Sequence, residues 1–400
     1  MFRRVAIVHD WLIAMRGGER VLESLCTLYP AADLFTLRYE PSLVSPMLAG
    51  RHVTTSFVDR LARLPFLRGR FRGLLPLFPL AAESFRLDDY DLVISSSHCV
   101  AAGVLTAPHA LHIAYLHSPM RYAWEAQSAY EERFGGGVLG KWAFRATAHY
   151  LRTWDRAASS RPDVMIANSS YTQQRIQKYY GREAEVIEPP IDTVKFGHTP
   201  SHESEQRAAW DPNAPLLLVS ALVPYKRVEL AVRAITDRGD RLIIVGEGPE
   251  RAVLERLAGP NISFRGWVDE STLVGLYREC RALLHPAVDD FGMVMVEALA
   301  AGKPVIASRE GGGAEIIRAG ETGLFFDSPT VDAVGKALDR LALVGSRFVP
   351  ARLREAARRF DRAAFEQRFR SAVDRAAQIT PRLRRDAAGT GARRAGMGAA

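Results

Sequence analysis

Short apolar runs alternate with stretches of helical periodicity along most of this chain. In the first half, the apolar runs that predict strands are residues 5–9, 33–36, 92–96, 111–116 and 164–167. The pattern starts again in the second half, with runs at 216–220, 242–245, 262–265, 282–285 and 305–307. The helices predicted between these strands include 18–28, 170–179, 228–235, 250–257, 271–279 and 293–301. Because strands that alternate with helices build parallel sheets, we predict an α/β protein with two doubly wound, Rossmann-like domains.

The length of the chain and one proline pair predict where the domains divide. Four hundred residues are too many for one ordinary hydrophobic core and suit two α/β domains. The segment 187–197 contains Pro189 and Pro190. It is the predicted connector, because a residue before proline favours extended or turn backbone. We expect domains at 1–188 and 189–375, with a last helix at about 360–375 that can cross back to the first domain. Residues 376–400 are expected to form a disordered basic tail.

The net charge of +8 is confined to the end of the chain. Residues 351–400 hold 13 Arg and 5 acidic residues, so the first 350 residues are neutral overall. We therefore expect no nucleic acid partner, binding through the tail being the less favoured alternative. The three cysteines are far apart, which favours a reduced, cytoplasmic protein without structural zinc. No apolar run has the length of a membrane span, and the start of the chain does not resemble a signal peptide.

Two acids and two cations in the second half are candidates for binding an anionic ligand. Asp289 lies in the loop that leads into a predicted helix, and Glu297 lies in that helix. The turn Phe291-Gly292 between them can aim backbone N–H groups and a helix N-terminus at an anion, since first-turn donors are unpaired there. Lys226 and Arg227 follow the first strand of the second half and can neutralise a diphosphate. The alternative is that these two cations are solvated charges at a helix start.

Glycine and histidine at other predicted strand ends extend the candidate site. Gly17 and Gly18 follow the first strand, and a glycine pair at a helix start lets the backbone approach a phosphate, although a plain turn explains it as well. The run Gly311-Gly312-Gly313 suggests the same close approach. His117 can bond to a sugar hydroxyl or serve only as a structural hydrogen-bond partner. The pair Asp89-x-Asp91 precedes a strand, at the end of a sheet where ligands do not bind, so we expect no metal there.

A basic and apolar segment at 60–86 is the candidate membrane contact. It contains six Arg and one acid, Glu83, interleaved with Leu and Phe. That composition suits the anionic inner surface of a plasma membrane, where the protein would bind peripherally. The alternative is a set of short helices packed on the first domain, because Pro and Gly interrupt the segment.

Together these residues resemble the retaining glycosyltransferases of family 4, over roughly residues 3–375. The most specific stretch runs from Asp289 to Glu297, supported by Gly246-Glu-Gly-Pro, Phe264-Arg-Gly-Trp-Val and the glycine run that ends at Glu315. The segments beginning at His117, Leu222 and Glu188 are similar to the bacterial O-antigen mannosyltransferases. The resemblance implies a GT-B fold, in which two Rossmann-like domains face a central cleft. It also implies GDP-mannose or another nucleotide sugar as donor, a lipid-linked glycan as acceptor, an α-linkage formed with retention, no metal and no cofactor.

The resemblance also implies a role for each candidate residue. Lys226, His117 and Asp289 would act on the reacting groups, Lys226 on the leaving diphosphate and the other two on the transferred sugar. The donor would be held by Gly17, Gly18, Arg227, Arg265, Val268, Phe291, Gly292, Met293 and Glu297, with Glu297 on the ribose and the segment 265–268 beside the base. The chain departs from the family pattern at Asp289, where Glu is usual, and at Ala221, where Arg is usual. Arg227 is the candidate substitute for the missing charge.

Three other functions fit the same sequence. The donor base follows only from the resemblance to one branch, so a UDP-sugar-dependent transferase is an alternative. A sugar-nucleotide epimerase could share the architecture and would turn over donor without an acceptor. The departures at Ala221 and Asp289 are also compatible with a non-catalytic, membrane-associated subunit that binds glycan.

Overall fold

A computed structural model of the chain describes residues 2–67, 71–125, 131, 137–197 and 210–379. Arg68 and Arg70 of the candidate membrane segment, and residues 380–400 of the predicted tail, lie outside these ranges. The chain divides into two compact units. Unit 1 contains the residues up to Glu188 and those of the last helix from Glu366 onward, and unit 2 runs from Pro189 to Phe365.

Unit 1 is built on a parallel sheet of seven strands in the order β3-β2-β1-β4-β5-β6-β7. The strands are β1 (Val5–His9), β2 (Asp33–Thr36), β3 (Val53–Thr55), β4 (Leu92–Ser97), β5 (Leu111–Leu116), β6 (Val164–Ala167) and β7 (Glu185–Val186). Every residue of β4 and β5 is buried, as expected for central strands covered on both faces. The strand order reverses between β1 and β4, and ligands of open parallel sheets bind at the carboxyl ends of strands beside such a switch point.

Unit 2 repeats this arrangement with six parallel strands in the order β10-β9-β8-β11-β12-β13. The strands are β8 (Leu216–Val219), β9 (Leu242–Val245), β10 (Ile262–Gly266), β11 (Ala282–His285), β12 (Val305–Ser308) and β13 (Gly323–Phe326). Here the order reverses between β8 and β11, which pair directly. The loops after β8 and β11 therefore meet at the switch point of this sheet.

Helices connect the strands and cover the faces of both sheets. In unit 1 they are α1 (Gly17–Leu28), α2 (Pro46–Ala49), α3 (Phe57–Ala62), α4 (Phe78–Glu83), α5 (Arg121–Trp124), α6 (Val138–Ala158) and α7 (Ser170–Tyr180). In unit 2 they are α8 (Thr193–Gly197), α9 (Val228–Thr236), α10 (Arg251–Leu257), α11 (Glu270–Glu279), α12 (Met293–Ala300), α13 (Gly313–Ile316), α14 (Val331–Val344) and α15 (Pro350–Arg358). The last helix, α16 (Arg362–Ile379), begins in unit 2 and ends in unit 1.

The predicted α/β class and the two doubly wound sheets are confirmed. All ten predicted strands are present, with ends that differ from the prediction by at most one residue. Three short strands were not predicted, namely β3, β7 and β13. β7 has two residues and β3 has three, too few to produce a recognisable apolar run. Each unit has its own apolar core on both faces of its sheet.

One buried carboxyl group in unit 1 makes the stability of that unit depend on pH. Asp155, on α6, accepts hydrogen bonds of 2.8 Å from Trp124 Nε1 and from the Tyr180 hydroxyl. Burial raises the pKa of Asp155 to about 7, a shift that the charge of Asp10 reinforces and that the two hydrogen bonds oppose. The folded state therefore binds a proton more tightly than the unfolded state does. Stability is gained as the pH falls through 7, and the gain is complete below the ordinary pKa of Asp.

Replacing Asp155 by Asn is expected to remove this pH dependence. The Asn carbonyl can accept the same two hydrogen bonds without becoming charged. We expect Asp155→Asn to be more stable than the wild type at pH 8, by roughly 2–4 kcal/mol, and similar to it at pH 4.5. Urea unfolding at the two pH values measures the difference, with the exposed Asp88→Asn as control. Equal changes of stability with pH in the wild type and Asp155→Asn would contradict this account.

Candidate functional site

An ion pair between two of the predicted catalytic residues lies at the switch point of unit 2. Lys226 follows β8 and Asp289 follows β11, and Lys226 Nζ lies 2.5 Å from Asp289 Oδ1. The exposed fractions of the two side chains are 20% and 13%, so the pair is accessible at one side and shielded at the other. The ammonium group of Lys226 can therefore exchange its ion pair with Asp289 for one with a bound anion while it stays in this shielded position.

A third residue at this point, His285, is the last residue of β11 and was not predicted as part of the site. Its Nε2 atom lies 3.3 Å from Asp289 Oδ2. Burial would raise the pKa of Asp289, but the positive charge of Lys226 and the neighbouring His285 outweigh it and hold that pKa well below its usual range. Asp289 is therefore a stable carboxylate at neutral pH and is unsuited to act as a general acid.

Glycines of the loop after β9 determine the position of the Lys226 loop. Gly246 has a φ of 131°, and a Cβ atom on it would lie 1.9 Å from the carbonyl oxygen of Ser220. A Cβ on Gly248 would lie 2.2 Å from the carbonyl oxygen of Leu222. Leu222 in turn donates its N–H to the Glu247 carbonyl. The motif Gly246-Glu-Gly-Pro thus fixes the backbone that leads from β8 to Lys226.

The three-glycine loop after β12 packs on the Asp289 loop in the same way. Gly312 donates its N–H to the Asp289 carbonyl at 2.9 Å. A Cβ on Gly312 would lie 2.4 Å from the Asp290 carbonyl oxygen and 2.5 Å from Phe291 Cα. These contacts explain why glycine occupies position 312. At position 312 the glycine makes room for the Asp289 loop, and close approach of the run to a ligand stays a prediction.

The helix after Asp289 begins at a glycine in the left-handed region. Gly292 has a φ of 94° and is the N-cap of α12, which starts at Met293. A Cβ on Gly292 would lie 2.2 Å from Met295 Cε, so both conformation and space require glycine. The first turn of α12 presents its N–H groups beside Asp289, with Phe291 buried beneath. The helix start predicted after Asp289 is thus present in the backbone, and its binding of an anion stays a prediction.

Glu297 lies within α12 and is 3% exposed. It accepts a hydrogen bond of 2.7 Å from the hydroxyl of Tyr277, on α11. The sequence did not reveal Tyr277 as a partner. It is 20 residues away, in an amphipathic helix whose apolar face is typical of an ordinary core helix. The contact fixes one carboxylate oxygen of the acid that the family resemblance assigns to the donor ribose.

Arg227 is the only residue other than glycine with a positive φ in the described part of the chain. It is the N-cap of α9 and adopts the left-handed conformation, with a φ of 52° and a ψ of 32°. Arginine in this conformation costs about 1–2 kcal/mol, and such strain is concentrated at functional positions. Its guanidinium lies 3.9 Å from Glu310 at the start of the glycine run. Arg227 therefore reaches the loop after β12, and its role as substitute for the Arg missing at Ala221 stays a prediction.

Arg265 and Val268 lie apart from this cluster. Arg265 is exposed on β10, the edge strand, and Val268 packs on the core just beyond it. In the sheet order, β9 separates β10 from β8. The structure thus brings Lys226, Arg227, Asp289 and the start of α12 together and leaves the segment 265–268 to one side of them.

Unit 1 has a polar cluster at its own switch point. His9 ends β1, His98 follows β4 and His117 follows β5, and the centroids of the three rings are 6.1–6.3 Å apart. Gly18, at the start of α1, is beside them, because a Cβ on it would lie 3.5 Å from both His117 Nε2 and His9 Cε1. Gly17 precedes it as the first residue of α1. The predicted residues Gly17, Gly18 and His117 are therefore neighbours.

Asp10 organises the loop beneath this cluster and was also not predicted. Its two carboxylate oxygens accept the backbone N–H groups of four consecutive residues, His98, Cys99, Val100 and Ala101, at 2.6–2.9 Å. A carboxylate with four such donors is fully satisfied although it is completely buried. Asp10 thus fixes the loop after β4 and with it the ring of His98, whose Nδ1 lies 3.2 Å from Asp10 Oδ2.

The described residues of the candidate membrane segment, 60–67 and 71–86, form short helical turns on unit 1. Its aromatic residues Phe71 and Phe78 are buried and pack against Trp11. Its most exposed large apolar residue in the described part is Leu80, at 58%. Elsewhere in unit 1, Leu139 and Trp142 near the start of α6 are 87% and 66% exposed. The packed helices agree with the alternative interpretation of the segment, while Leu80 remains available at its surface.

The residues that the structure describes contain neither a metal-binding cluster nor a membrane-spanning helix. Within these ranges, no group of three or more His, Cys, Asp or Glu side chains is arranged to hold a metal ion. No helix of the described chain combines the length and the apolar character needed to cross a membrane.

Comparison with known proteins identifies the family. A family model described as glycosyltransferase family 4 matches residues 15–195. A model described as glycosyl transferases group 1 matches residues 202–360. The chain belongs to glycosyltransferase family 4. The first model covers unit 1 from just before α1, beyond β1, into the connector, and the second covers the Lys226 and Asp289 loops.

Two mycobacterial mannosyltransferases are among the similar proteins. The GDP-mannose-dependent alpha-(1-6)-phosphatidylinositol monomannoside mannosyltransferase of Mycobacterium tuberculosis is 31% identical over 209 residues, which are 47% of this chain and 54% of the relative. A GDP-mannose-dependent alpha-mannosyltransferase of Mycolicibacterium smegmatis is 30% identical over 205 residues, which are 50% of this chain and 52% of the relative. The chain thus spans about half the length of these relatives.

Solved glycosyltransferase structures share the fold of this protein. HepE of Anabaena in complex with UDP-glucose has a TM-score of 0.66 at 19% identity, with 94% of this chain and 100% of that chain covered. Sucrose-phosphate synthase of Thermosynechococcus elongatus has a TM-score of 0.67 at 18% identity, with 93% and 99% covered. At these identities the likeness concerns the fold alone.

Proposed function

We propose that this family 4 enzyme transfers mannose from GDP-mannose to a lipid-linked saccharide, with retention of configuration and without a metal ion. The observation that carries the proposal is the Lys226–Asp289 pair beside the start of α12, at the switch point of unit 2. Cations and first-turn N–H groups at such a point suit a diphosphate. The donor is inferred from the relatives in mycobacteria, both of which are named as GDP-mannose-dependent.

In the proposed reaction Lys226 stabilises the leaving diphosphate. As the bond between sugar and phosphate breaks, negative charge grows on the diphosphate, and Lys226 and the N–H groups at the start of α12 are already oriented to hold it. Preorganised charges of this kind act without reorganisation at the moment of reaction. Asp289 holds Lys226 in position before the donor binds and would then contact the sugar. Glu297, fixed by Tyr277, would contact the ribose.

Retention is proposed to occur by attack of the acceptor on the face that the diphosphate leaves. A covalent intermediate needs a carboxylate free to act as a nucleophile, and Asp289 is already ion-paired with Lys226 and adjacent to His285. Trapping with a slow, fluorinated donor tests this step. We expect no sugar adduct on any residue by mass spectrometry, and an adduct on Asp289 would contradict front-face attack.

The experiment that tests the proposed function is a donor screen with the purified chain. GDP-mannose, UDP-glucose and UDP-galactose are each incubated with and without a lipid-linked mannoside, and nucleotide release and the anomeric protons of the product are followed by NMR. We expect GDP release that depends on the acceptor, and an α-linked product. Preferential release of UDP would assign a UDP-sugar donor, and conversion of donor without an acceptor would favour an epimerase. If no donor were consumed, the non-catalytic alternative would stand.

We propose further that unit 1 contacts an anionic membrane surface through the segment that contains Leu80. Burying Leu80 in the lipid interface would contribute roughly 2 kcal/mol, and a carboxylate there would be repelled by anionic lipid. Leu80→Glu is therefore expected to weaken sedimentation with anionic liposomes by about tenfold or more. The matched control is Leu343→Glu in unit 2, where Leu343 is 81% exposed. Loss of binding in Trp142→Glu but not in Leu80→Glu would move the contact to the start of α6.

A further inference from the structure

A chain of polar contacts connects Glu19 to His117 inside unit 1. Glu19 Oε2 accepts the backbone N–H of Arg16 at 2.9 Å, which fixes the carboxylate at the start of α1. Glu19 Oε1 lies 3.9 Å from His9 Nε2, an ion-pair separation longer than a hydrogen bond. His9 Nδ1 lies 3.1 Å from Ser96 Oγ, and the same oxygen lies 2.8 Å from His117 Nε2. Ser96 is completely buried and is shared by the two rings.

The charge at one end of this chain decides which nitrogen of each ring carries a proton. Although burial raises the pKa of Glu19, the contact with His9 and the neighbouring His98 lower it further than burial raises it. Glu19 is therefore a carboxylate at neutral pH. His9 Nε2 has no hydrogen-bond partner, and a proton on it is attracted by this carboxylate, whereas a lone pair there would be repelled. The Nε2–H tautomer of His9 is favoured, which leaves Nδ1 as an acceptor.

The remaining steps follow from the single proton of a hydroxyl group. If His9 Nδ1 is an acceptor, Ser96 must donate its proton to it, and only the lone pairs of Ser96 remain for His117. His117 Nε2 must then donate. Burial, reinforced by the neighbouring rings of His98 and His9, holds the pKa of His117 well below its usual range, so this ring is neutral and carries only that proton. His117 Nδ1 is thereby left as an acceptor.

We infer that Glu19, His9 and Ser96 are positioning residues that set the tautomer of His117, so that its Nδ1 accepts a hydrogen bond from a hydroxyl group of a bound saccharide. The assignment of a saccharide ligand rests on the proposed function, whereas the tautomer does not. These contacts therefore select a ligand group that can donate a hydrogen bond to His117 Nδ1. A ligand that offers only an acceptor at that point would face a lone pair and be rejected.

The other charged groups around the cluster do not reverse this assignment. His98 is partnered by Asp10 at 3.2 Å and makes only ring contacts with His9 and His117, at 6.1 and 6.3 Å between centroids. Tyr115 likewise contacts His117 ring to ring, at 5.2 Å. Only a doubly protonated His9 would reverse the direction of these hydrogen bonds. It would donate to Ser96, and Ser96 would then donate to His117.

The tautomer is measured directly by long-range ¹H–¹⁵N correlation spectra of the full chain labelled in histidine, at pH 7.5 and without donor. The His117 signals are assigned by their loss in His117→Gln. We expect a neutral His117 with its proton on Nε2. Glu19→Gln keeps the cap of α1 but removes the charge. In this variant the fraction of His117 in the Nδ1–H tautomer should rise to roughly a third or more. Glu23→Gln, on the same helix, should leave the spectrum unchanged.

A second variant shows whether Ser96 carries the effect. Ser96→Ala removes the hydroxyl that connects His9 to His117. In that background, adding Glu19→Gln should no longer change the His117 tautomer. An Nδ1–H tautomer in the wild type, or an effect of Glu19→Gln that persists without Ser96, would overturn the inference. Under the proposed function Glu19→Gln should also lower kcat/KM by about tenfold. The expected spectra together with an inactive wild type would refute the proposed function and leave the positioning chain standing.

Discussion

Replacing Lys226 by Ala is expected to lower kcat/KM for GDP-mannose by about 10²–10³-fold. Lys226 is the cation that the structure places at the switch point of unit 2, 2.5 Å from Asp289, and under the proposed function the diphosphate gains its charge as it leaves. Removing one preorganised charge of this kind costs about 3–4 kcal/mol of transition-state stabilisation. The rate of GDP release under subsaturating donor measures the effect. Lys336→Ala, which removes an exposed lysine of α14 paired with Asp332, should retain wild-type activity.

A double variant separates catalysis from stability at this position. Lys226→Ala alone leaves the largely buried carboxylate of Asp289 without its ion-pair partner, and we expect it to lower the free energy of unfolding by about 1–3 kcal/mol. Adding Asp289→Asn removes that stranded charge and should restore much of the stability. Activity should stay low in the double variant, because the cation is still missing. Recovery of activity together with stability would mean that Lys226 serves only the fold.

Gly312→Ala is expected to destabilise unit 2 even when no ligand is present. The added Cβ would lie 2.4 Å from the Asp290 carbonyl oxygen and 2.5 Å from Phe291 Cα, and backbone atoms cannot rotate away as a flexible side chain can. Overpacking of this kind costs about 2–3 kcal/mol, which corresponds to a fall in Tm of roughly 4–12 °C for a unit of this size. Because the clash displaces the loop of Asp289, GDP-mannose turnover should fall as well.

The control for Gly312→Ala is Gly239→Ala, since nothing lies within 4 Å of a Cβ at that position. Its Tm should differ from the wild type by no more than about 2 °C. The comparison is made by thermal unfolding of the ligand-free protein. If Gly312→Ala were as stable as the wild type and lost only donor binding, the glycine would serve approach to a ligand and not packing of one loop on another.

The apolar pattern predicted the strands well because the central strands of a parallel sheet are buried on both faces. β4 and β5 are buried throughout. β5 is apolar apart from His112, and β4 is apolar as far as Ile94, before its three serines. The order of the strands was not available from that pattern. Lys226 and Asp289 are 63 positions apart, and only the pairing of β8 with β11 brings them into contact. Both residues were predicted as candidates from their places in loops at strand ends, and the topology explains why they meet.

The residues that the sequence did not reveal have partners that are distant in the chain. Ser96 is the middle residue of a run of three serines and is distinguished only by the two rings that share it. His285 ends an apolar strand, where a buried histidine is not unusual. The glycine runs were recognised, but a sequence cannot show whether a glycine makes room for a phosphate or for another loop. At Gly246, Gly248 and Gly312 the neighbour is backbone.

The central claim is that the Lys226 loop and the start of α12 hold a nucleoside diphosphate. Calorimetric titration of GDP into the wild type, Lys226→Ala and Lys336→Ala tests it most directly, because GDP carries the diphosphate and needs no acceptor. We predict one site per chain, binding at least about tenfold weaker in Lys226→Ala, and unchanged binding in Lys336→Ala. Equal affinity of the wild type and Lys226→Ala for GDP, or no binding to either, would contradict the account.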